Sequence, residues 1–349
     1  MFSRSITRLV AASASMAVAG GLFVVAVPFS SSVGAQTVSA SCADPVTSQP
    51  TGPATVGTAS SPFGMVLVVG SGGYAGCSLY VLTSDESHAL SGAPFACSSS
   101  SPLGPPCDTV LWPALLTQGA PIAGPGVNPR LLGTVTRRDF PGLTSVTQVT
   151  YAGQPLYRFF LDETPGETEG ANLFDPVTSP TGIWYLVEPK RGDPATGRAR
   201  LVLETATIGG SGPGKTVLAV TMNNDFSLFP NASFPVYTLT PNRGGEDAND
   251  EGDDNGQRSS CQGKCALNWP PVLTTMLPEA GPGVDEDALG VIRRPDGTHQ
   301  VTYHGQPLYL FVNDAYIGGP VNYPFANPEI NGAGAATPWG VFNTVPPLS

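Results

Sequence analysis

Four segments of the sequence place an acidic or amide residue five positions after a tyrosine, and these are the first candidates for chemistry. They read LYVLTSD (79–85), LYRFFLD (156–162), VYTLTPN (236–242) and LYLFVND (308–314). A carboxylate at such a position could be catalytic or could bind a metal ion, and four tyrosines could form an aromatic platform for a glycan or another planar ligand. We favour packing in or beside the core, because buried tyrosines usually find a hydrogen-bond partner for the hydroxyl.

The spacing of this Tyr-x4-Asp motif fits a strand that ends in a turn. The tyrosine and the residue two positions later share one face of a strand, because side chains alternate with period two. The fifth position falls where the strand ends, and an Asp or Asn there can cap a turn through backbone N–H groups. We treat the motif set as structural or binding: Tyr80, Asp85, Tyr157, Phe159, Asp162, Tyr237, Asn242, Tyr309, Phe311 and Asp314, with Trp112 and Trp269.

An acidic segment, residues 242–256, offers the one weak metal candidate. Asp247, Asn249 and Glu251 match the first half of a calcium loop, but the twelfth position is Arg258, where a bidentate Glu is required. We interpret the segment as a flexible, solvated loop, with weak calcium binding as the alternative.

No other residue pattern defines a reaction. The histidines His88, His299 and His304 lack a metal-binding spacing, and no Ser/His/Asp set or paired carboxylates can be assigned. GGSGPGKT (209–216) lacks the four-residue gap of a phosphate-binding loop. We therefore predict no catalytic residue and no cofactor.

The chain is an internal duplication. QVTYAGQPLY (148–157) returns as QVTYHGQPLY (300–309), AGPGV occurs at 123–127 and again at 280–284, and LLGTVTRRD aligns with ALGVIRRPD. Two homologous copies of about 125 residues follow. In this register the tryptophans Trp112, Trp184, Trp269 and Trp339 are expected to occupy equivalent positions of the two copies.

The repeated phrase predicts a hairpin. Strand QVTY leads into a two-residue turn, Ala152-Gly153 or His304-Gly305, and strand QPLY returns. Glycine at the second turn position supplies the positive φ that a tight hairpin needs. A proline in the returning strand cannot donate to a neighbour, so that strand must lie at a sheet edge there.

Six cysteines predict three disulfides in an exported chain. Within the repeat register, Cys97–Cys107 and Cys261–Cys265 each precede a Trp-Pro, and Cys42–Cys77 remain to pair with each other. A redox-active or zinc-binding pair is the functional alternative. Cys-x3-Cys without a nearby histidine is a poor zinc spacing, so we favour structural disulfides.

The N-terminus predicts export. Arg4 and Arg8 precede an apolar stretch and then small residues, which is the order of a signal peptide, with cleavage after Ala35 or Ala40. An uncleaved anchor or a lipidated Cys42 are the alternatives. We divide the chain into a signal peptide (1–35), an N-terminal extension (36–61), copy 1 (62–189), a Pro/Gly-rich linker (190–214) and copy 2 (215–349).

Composition restricts the fold class and the partners. With 36 Pro and 42 Gly in 349 residues, long helices are not expected. We predict a mainly β protein of two tandem homologous β-rich domains with short hairpins, disulfides and little helix. The formal charge of −11 makes the protein acidic and disfavours nucleic acid as a partner.

The motifs resemble a family of secreted repeats found in bacterial lipoproteins and exported proteins. The resemblance rests on Tyr-x4-Asp, on CQGKCALNWPPVL (261–273) and on GIWYLVEP (182–189), and it covers residues 62–189 and 215–345. Asn242 departs from the family pattern, as do the wider spacing of Cys97 and Cys107 and the leucines Leu82 and Leu239 in place of aromatics. The resemblance implies export and a β-rich domain, and it implies no settled activity.

From these observations we expect an exported, non-catalytic protein of the cell envelope or extracellular space, with a structural or binding role toward cell-wall or extracellular material. No membrane span is expected after signal cleavage. A redox or electron-transfer accessory protein and an extracellular enzyme are the alternatives.

Overall fold

The structure is a computed structural model, and it describes residues 40–86, 94–99, 105–175, 182–208, 213–221, 233–241, 259–314 and 329–346. The predicted signal peptide, Asn242, the calcium candidates Asp247, Asn249 and Glu251, and His88 lie outside these residues. Within them, no helix is both long and apolar enough to cross a membrane.

The described residues are mainly β, as predicted, and the strands are short because prolines and glycines interrupt them. Among the residues that the structure describes, helical structure is limited to 3-10 turns at Thr83–Asp85, Glu286–Ala288 and Val312–Asp314, a π turn at Cys107–Leu111 and an α-helix at Lys264–Asn268. The strands are β1 (Thr55–Ser61), β2 (Gly64–Val69), β3 (Tyr80–Leu82), β4 (Ile122–Ala123), β5 (Leu132–Arg137), β6 (Val146–Tyr151), β7 (Gln154–Pro155), β8 (Leu173–Asp175), β9 (Gly182–Val187), β10 (Pro194–Ala195), β11 (Arg200–Ile208), β12 (Lys215–Thr221), β13 (Ser233–Pro235), β14 (Tyr237–Pro241), β15 (Glu279–Ala280), β16 (Leu289–Arg293), β17 (His299–Tyr303), β18 (Gln306–Pro307), β19 (Glu329–Ile330), β20 (Ala335–Thr337) and β21 (Gly340–Thr344).

The small sheets recur along the chain. The meander β5-β6-β7 corresponds to β16-β17-β18. Strand β1 pairs antiparallel with β2 and parallel with β4, and β11 pairs in the same way with β12 and β15. Strand β9 lies between β3 and β8, as β21 lies between β14 and β20. The repeated sequence therefore builds repeated sheets.

The repeated phrase forms the predicted hairpin twice. Ala152 and Gly153 have φ values of 49° and 85°, and His304 and Gly305 have φ values of 48° and 73°. Two consecutive positive φ angles are the signature of a type I′ turn. The proline-bearing strands β7 and β18 are edge strands of their sheets. A residue without an N–H is tolerated at a sheet edge.

Strand β11 lies inside the segment 190–214 that the sequence predicts to be a linker. Leu201 of this strand pairs with Val220 of β12. Residues Ser39–Ser349 form one compact unit, so the division into two domains stays a prediction.

The core continues from copy 1 into copy 2. One cluster of buried apolar side chains includes Leu186 of copy 1 and Leu308 of copy 2. The rings of Phe174 and Phe234 lie 4.2 Å apart between their centroids. A second cluster, around Trp269, belongs to copy 2 alone.

Three disulfides fix the loops, and they join the pairs expected from the repeat register: Cys42–Cys77, Cys97–Cys107 and Cys261–Cys265. The first bridge ties the N-terminal extension to copy 1. Arg158 adds to this attachment, because its guanidinium donates to the carbonyls of Cys42 (2.5 Å) and Asp44 (2.8 Å).

Candidate functional site

The motif tyrosines meet in pairs through the backbone. The N–H of Tyr80 donates to the carbonyl of Tyr157 over 2.9 Å, and the reverse bond measures 3.0 Å. Tyr237 and Tyr309 exchange the same two bonds, at 2.8 and 2.9 Å. Such reciprocal bonds define a hydrogen-bonded antiparallel pair, whose two side chains leave the backbone on the same face. The two motifs of each copy are therefore joined at their tyrosines.

In copy 1 each tyrosine side chain reaches the carboxylate of the other motif. The hydroxyl of Tyr80 donates to Asp162 Oδ2 over 2.7 Å, and the hydroxyl of Tyr157 donates to Asp85 Oδ2 over 2.8 Å. All four side chains are buried. We call this arrangement a crossed pair, because neither tyrosine bonds the aspartate of its own segment.

Copy 2 shows half of the same crossing. The hydroxyl of Tyr237 donates to Asp314 Oδ2 over 2.6 Å, and Asp314 Oδ1 accepts the N–H of Asn331 over 2.8 Å. The other tyrosine, Tyr309, shares a 3.1 Å hydrogen bond with the hydroxyl of Ser259. Its motif counterpart, Asn242, lies outside the described residues.

The second carboxylate oxygen of each copy 1 aspartate binds backbone farther along the chain. Asp162 Oδ1 accepts the N–H of Glu169 over 2.9 Å. Asp85 Oδ1 accepts the N–H groups of Ala96 and Cys97, at 2.7 and 3.3 Å. The sequence predicts that each aspartate caps the turn directly after its own strand. In the structure the same carboxylate closes a longer loop instead.

An aromatic stack fills the space beside the crossed pair of copy 1. Trp112 lies between Phe159 and Trp184, with ring centroids 4.1 and 3.7 Å away. The edges of Tyr80 and Tyr157 contact Trp112 and Trp184 respectively. Phe159 and Trp112 of the motif set are therefore core residues, as the packing interpretation expects.

The stack of copy 2 corrects one tryptophan assignment. Trp269 lies between Phe311 and Phe342, at centroid distances of 4.2 and 3.7 Å. Phe342 of β21 occupies the place that Trp184 has in β9, opposite the motif strand. Trp339 was expected to be equivalent to Trp184, and this is wrong: it is half-buried and precedes β21, because the copy 2 chain places Phe, not Trp, at the inward position.

A buried arginine that was not among the predicted site residues lies at the centre of copy 1. The side chain of Arg137, at the end of β5, is fully buried. It donates to the Tyr157 hydroxyl that itself donates to Asp85, so the guanidinium extends the crossed pair into a network. Its acceptors are Gln148 Oε1 (2.9 Å), Tyr157 Oη (3.0 Å), the Cys97 carbonyl (2.7 Å) and the carboxylates of Asp108 (3.0 Å) and Asp139 (2.5 Å).

Arg294 takes the same place in copy 2. Its acceptors are Ser259 Oγ, Gln300 Oε1 (2.8 Å), the Cys261 carbonyl (3.2 Å) and Asp296 Oδ2 (3.2 Å). The two networks differ in charge, since Asp108 follows Cys107 whereas Ala266 follows Cys265. A signal for both arginines was present in the sequence: the aligned segments LLGTVTRRD and ALGVIRRPD share an Arg followed two positions later by Asp.

Burial raises the pKa of three buried carboxyls of copy 1, those of Asp85, Asp108 and Asp162. It raises the pKa of Asp162 to about 7, although the Tyr80 hydroxyl and a backbone N–H oppose the shift. It raises the pKa of Asp108 to about 6 against the attraction of Arg137, and it also raises the pKa of Asp85. Desolvation disfavours a charged carboxylate more than these partners favour it.

The chemistry of this cluster favours a structural interpretation. A buried set of phenols, carboxyls and a guanidinium has the composition of an acid–base site. However, both oxygens of Asp85 and of Asp162 already bond groups of the fold. A substrate would have to displace these bonds and enter a closed core to reach either carboxyl.

The described residues contain no group of three or more His, Cys, Asp or Glu side chains placed to hold a metal ion. His304 lies at the tip of its hairpin, in the turn. His299 opens strand β17 and is exposed.

A family model described as a secreted repeat of unknown function matches residues 290–320. This stretch contains the hairpin of β17 and β18, Tyr309 and Asp314, so it includes the aspartate that accepts from the Tyr237 hydroxyl. No curated protein and no solved structure matches the chain.

Proposed function

We propose that this protein is exported and acts outside the cytoplasm as a non-catalytic repeat protein with a structural or binding role. The family model that matches residues 290–320 describes secreted repeats. The three disulfides agree with that location, because such bonds persist in oxidising compartments.

One observation carries the non-catalytic part of the proposal: in the described residues, the tyrosine and aspartate side chains of the repeated motif are buried inside the fold. Tyr80 and Tyr157 are fully buried, and their hydroxyls bond carboxylates that are also buried. A group that acts on a substrate has to reach it. The Tyr-x4-Asp motif therefore serves as a brace that holds two segments of one copy together.

A redox role finds less support than a structural one. All six cysteines are fully buried, and thiol–disulfide exchange requires a thiolate to reach a sulfur atom. The bridges are thus protected from exchange partners. They act as fixed cross-links of the loops that precede the tryptophans and of the N-terminal extension.

Fractionation of cells that express the full chain with a C-terminal tag tests this function. We expect the tagged protein in the culture medium or the envelope fraction. Its mass should be that of a chain that begins at Gln36 or Ser41, and it should contain no free thiols. A full-length, reduced protein in the cytoplasmic fraction would contradict the proposal. The same preparation, incubated with isolated cell-wall material, separates a binding role from a purely structural one.

A further inference from the structure

The two meanders β5-β6-β7 and β16-β17-β18 each have one protected edge and one open edge. The edge strands β7 and β18 carry Pro155 and Pro307, and a proline at an edge discourages pairing with another chain. The opposite edge strands, β5 and β16, contain no proline. Each has a single charged residue, Arg137 or Arg293, at its end.

The hydrogen bonds of β6 show which backbone groups of β5 point outward. Val149 donates its N–H to the carbonyl of Leu115 over 2.8 Å, on the side away from β5. Thr134 lies opposite Val149, and in such an antiparallel pair both residues direct their backbone groups away from each other. The alternation of the ladder gives Leu132 and Thr136 the same outward direction.

The edge of copy 2 has the same arrangement. Val301 donates its N–H to the carbonyl of Val272 over 2.8 Å, and Val291 of β16 lies opposite Val301. Leu289, Val291 and Arg293 therefore direct their backbone groups outward. In the part of the chain that the structure describes, the outward backbone groups of β5 and β16 have no hydrogen-bond partner. Each edge thus offers three residues to a further strand.

The two open edges match each other in an antiparallel alignment, the direction of every strand pair in these meanders. Thr134 of one molecule then lies opposite Val291 of a second copy, and all three outward residues of each strand are paired. This alignment forms about six backbone hydrogen bonds. Both central residues are β-branched, a type that packs well across neighbouring strands.

Charges beyond the strand ends support this alignment. Arg138 directly follows β5, Asp287 lies two residues before β16, and both are exposed. The alignment sets Arg138 opposite Asp287 of the second copy. Glu286 falls opposite Asp139, but the carboxylate of Asp139 already pairs with Arg137. The contact therefore gains one pair of opposite charges.

Pairing of two identical edges lacks this charge complementarity. When β5 pairs with β5 of a second copy about its middle outward residue, Arg130 lies opposite Arg138 at both ends. Like charges directly opposite each other are destabilising. The corresponding pairing of β16 with β16 sets Asp287 opposite Pro295, so it gains no opposite charge. The charges favour contact between unlike edges.

We propose that β5 of one molecule adds antiparallel to β16 of a second copy, so that the molecules associate head to tail. The two surfaces differ, and such a contact leaves a free β5 at one end and a free β16 at the other, which extends a chain or closes a ring. The inference rests on the proposed function, because it gives the structural role a physical form. An exported protein that stays monomeric overturns the association alone, whereas a reduced, cytoplasmic protein overturns the proposed function.

The test is sedimentation velocity of the full exported protein over a range of protein concentrations. At physiological salt, a Debye length of about 8 Å limits the repulsion between two acidic molecules. The series extends to about 1 mM, because a contact of one strand pair is small and weak. We expect the mean mass to rise with concentration. A wild-type protein that remains monomeric throughout overturns the proposal.

Two edge-blocking variants identify the surfaces. Thr134→Pro and Val291→Pro each remove the central outward N–H of one edge, a position where proline is tolerated by the sheet. Each variant alone should be monomeric. An equimolar mixture should form a one-to-one dimer that grows no further, because one intact β5 meets one intact β16. Association of either variant alone to the wild-type extent overturns the pairing of unlike edges.

Charge exchange provides a second test that does not alter the strands. Arg138→Asp and Asp287→Arg should each weaken the association about three- to tenfold, and the double variant should recover it, because the opposite charges meet again. Lys215→Glu is the matched control: it is exposed, lies outside both meanders and changes the net charge as much as Arg138→Asp. It should leave the association unchanged. A double variant that is no better than the single ones overturns the proposed alignment.

Discussion

The backbones of Tyr80 and Tyr157 bond each other in both directions, although 77 residues separate them in the sequence. This pairing sets their side chains next to each other, and each hydroxyl then meets the aspartate that follows the other tyrosine. One motif cannot form this arrangement alone. The motif therefore occurs twice in copy 1 because each occurrence supplies the acceptor that the other needs.

The first prediction tests whether Asp162 is a brace. Asp162→Ala leaves the Tyr80 hydroxyl and the Glu169 N–H without an acceptor, so it should lower the free energy of unfolding by about 1–3 kcal/mol. Asp162→Asn should cost less than about 1 kcal/mol, since its oxygen can accept the N–H and its amide can donate to the tyrosine hydroxyl. Urea unfolding measures both changes.

Tyr80→Phe provides the control for this prediction. It removes the donor of the same bond, so the double variant with Asp162→Ala should lose less than the sum of the two single losses, with a coupling of about 0.5–3 kcal/mol. Additive losses would contradict a direct bond. Unchanged unfolding in Asp162→Asn together with lost binding to wall material would make this carboxylate a site instead.

The second prediction concerns pH. Burial raises the pKa of Asp162 to about 7 in the folded protein, against about 3.9 in an unfolded chain. The folded state therefore binds the Asp162 proton more tightly than the unfolded state does. This difference stabilises the folded state fully below about pH 4, and the stabilisation is lost as the pH rises through 7. Asp108, with its pKa raised to about 6, also stabilises the folded state at low pH, and its contribution is lost at a lower pH than that of Asp162.

Urea unfolding at pH 5 and pH 8 measures this dependence. The wild type should have the higher midpoint at pH 5, and Asp162→Asn should reduce the difference between the two pH values, because its amide does not titrate. Lys190→Ala, an exposed change outside the core, should keep the wild-type difference. An Asp162→Asn protein with the full wild-type pH dependence would show that this carboxyl keeps an ordinary pKa.

Local features of the fold could be predicted from the sequence. The hairpin depends on residues adjacent in the chain, and Gly153 and Gly305 mark its turn directly. The repeat register placed Cys97 with Cys107 and Cys261 with Cys265. In each of these cases the partners are near in sequence or are aligned by the duplication itself.

Contacts between distant segments could not be predicted in the same way. The sequence associates Tyr80 with Asp85, because they are five residues apart, whereas the fold bonds Tyr80 to Asp162. Which carboxylate a tyrosine reaches depends on how the two strand ends approach each other, and spacing does not encode this.

The third prediction concerns two glycines that contact the central tryptophans. A Cβ atom at Gly170 would lie 2.7 Å from the ring of Trp112, and one at Gly332 would lie 2.7 Å from the ring of Trp269. Neither tryptophan can move away, because each is stacked between aromatic rings. Gly170→Ala and Gly332→Ala should each cost about 1–3 kcal/mol through overpacking.

Gly52→Ala is the matched control for these substitutions, because a Cβ at Gly52 would meet no atom within 4 Å. It should leave the thermal midpoint unchanged or raise it slightly, since alanine restricts the unfolded chain. Equal midpoints for Gly52→Ala and Gly170→Ala would mean that the stack of copy 1 adjusts to an extra methyl group.

The last prediction compares two disulfides that close loops of different length. Cys42–Cys77 spans 35 residues and Cys261–Cys265 spans 4. If a bridge stabilises mainly by restricting the unfolded chain, loss of the first should cost about 4 kcal/mol and loss of the second about 2 kcal/mol. The measurement is urea unfolding of the double variants Cys42→Ala with Cys77→Ala and Cys261→Ala with Cys265→Ala.

The Cys42–Cys77 bridge also holds the N-terminal extension, whose Cys42 and Asp44 carbonyls accept from Arg158. Protease treatment of the first double variant should therefore release a fragment that ends before Thr55, where β1 begins, while the second double variant should resist cleavage there. Equal costs for the two bridges, with the extension still protected, would show that packing around Arg158 rather than chain restriction attaches this segment to copy 1.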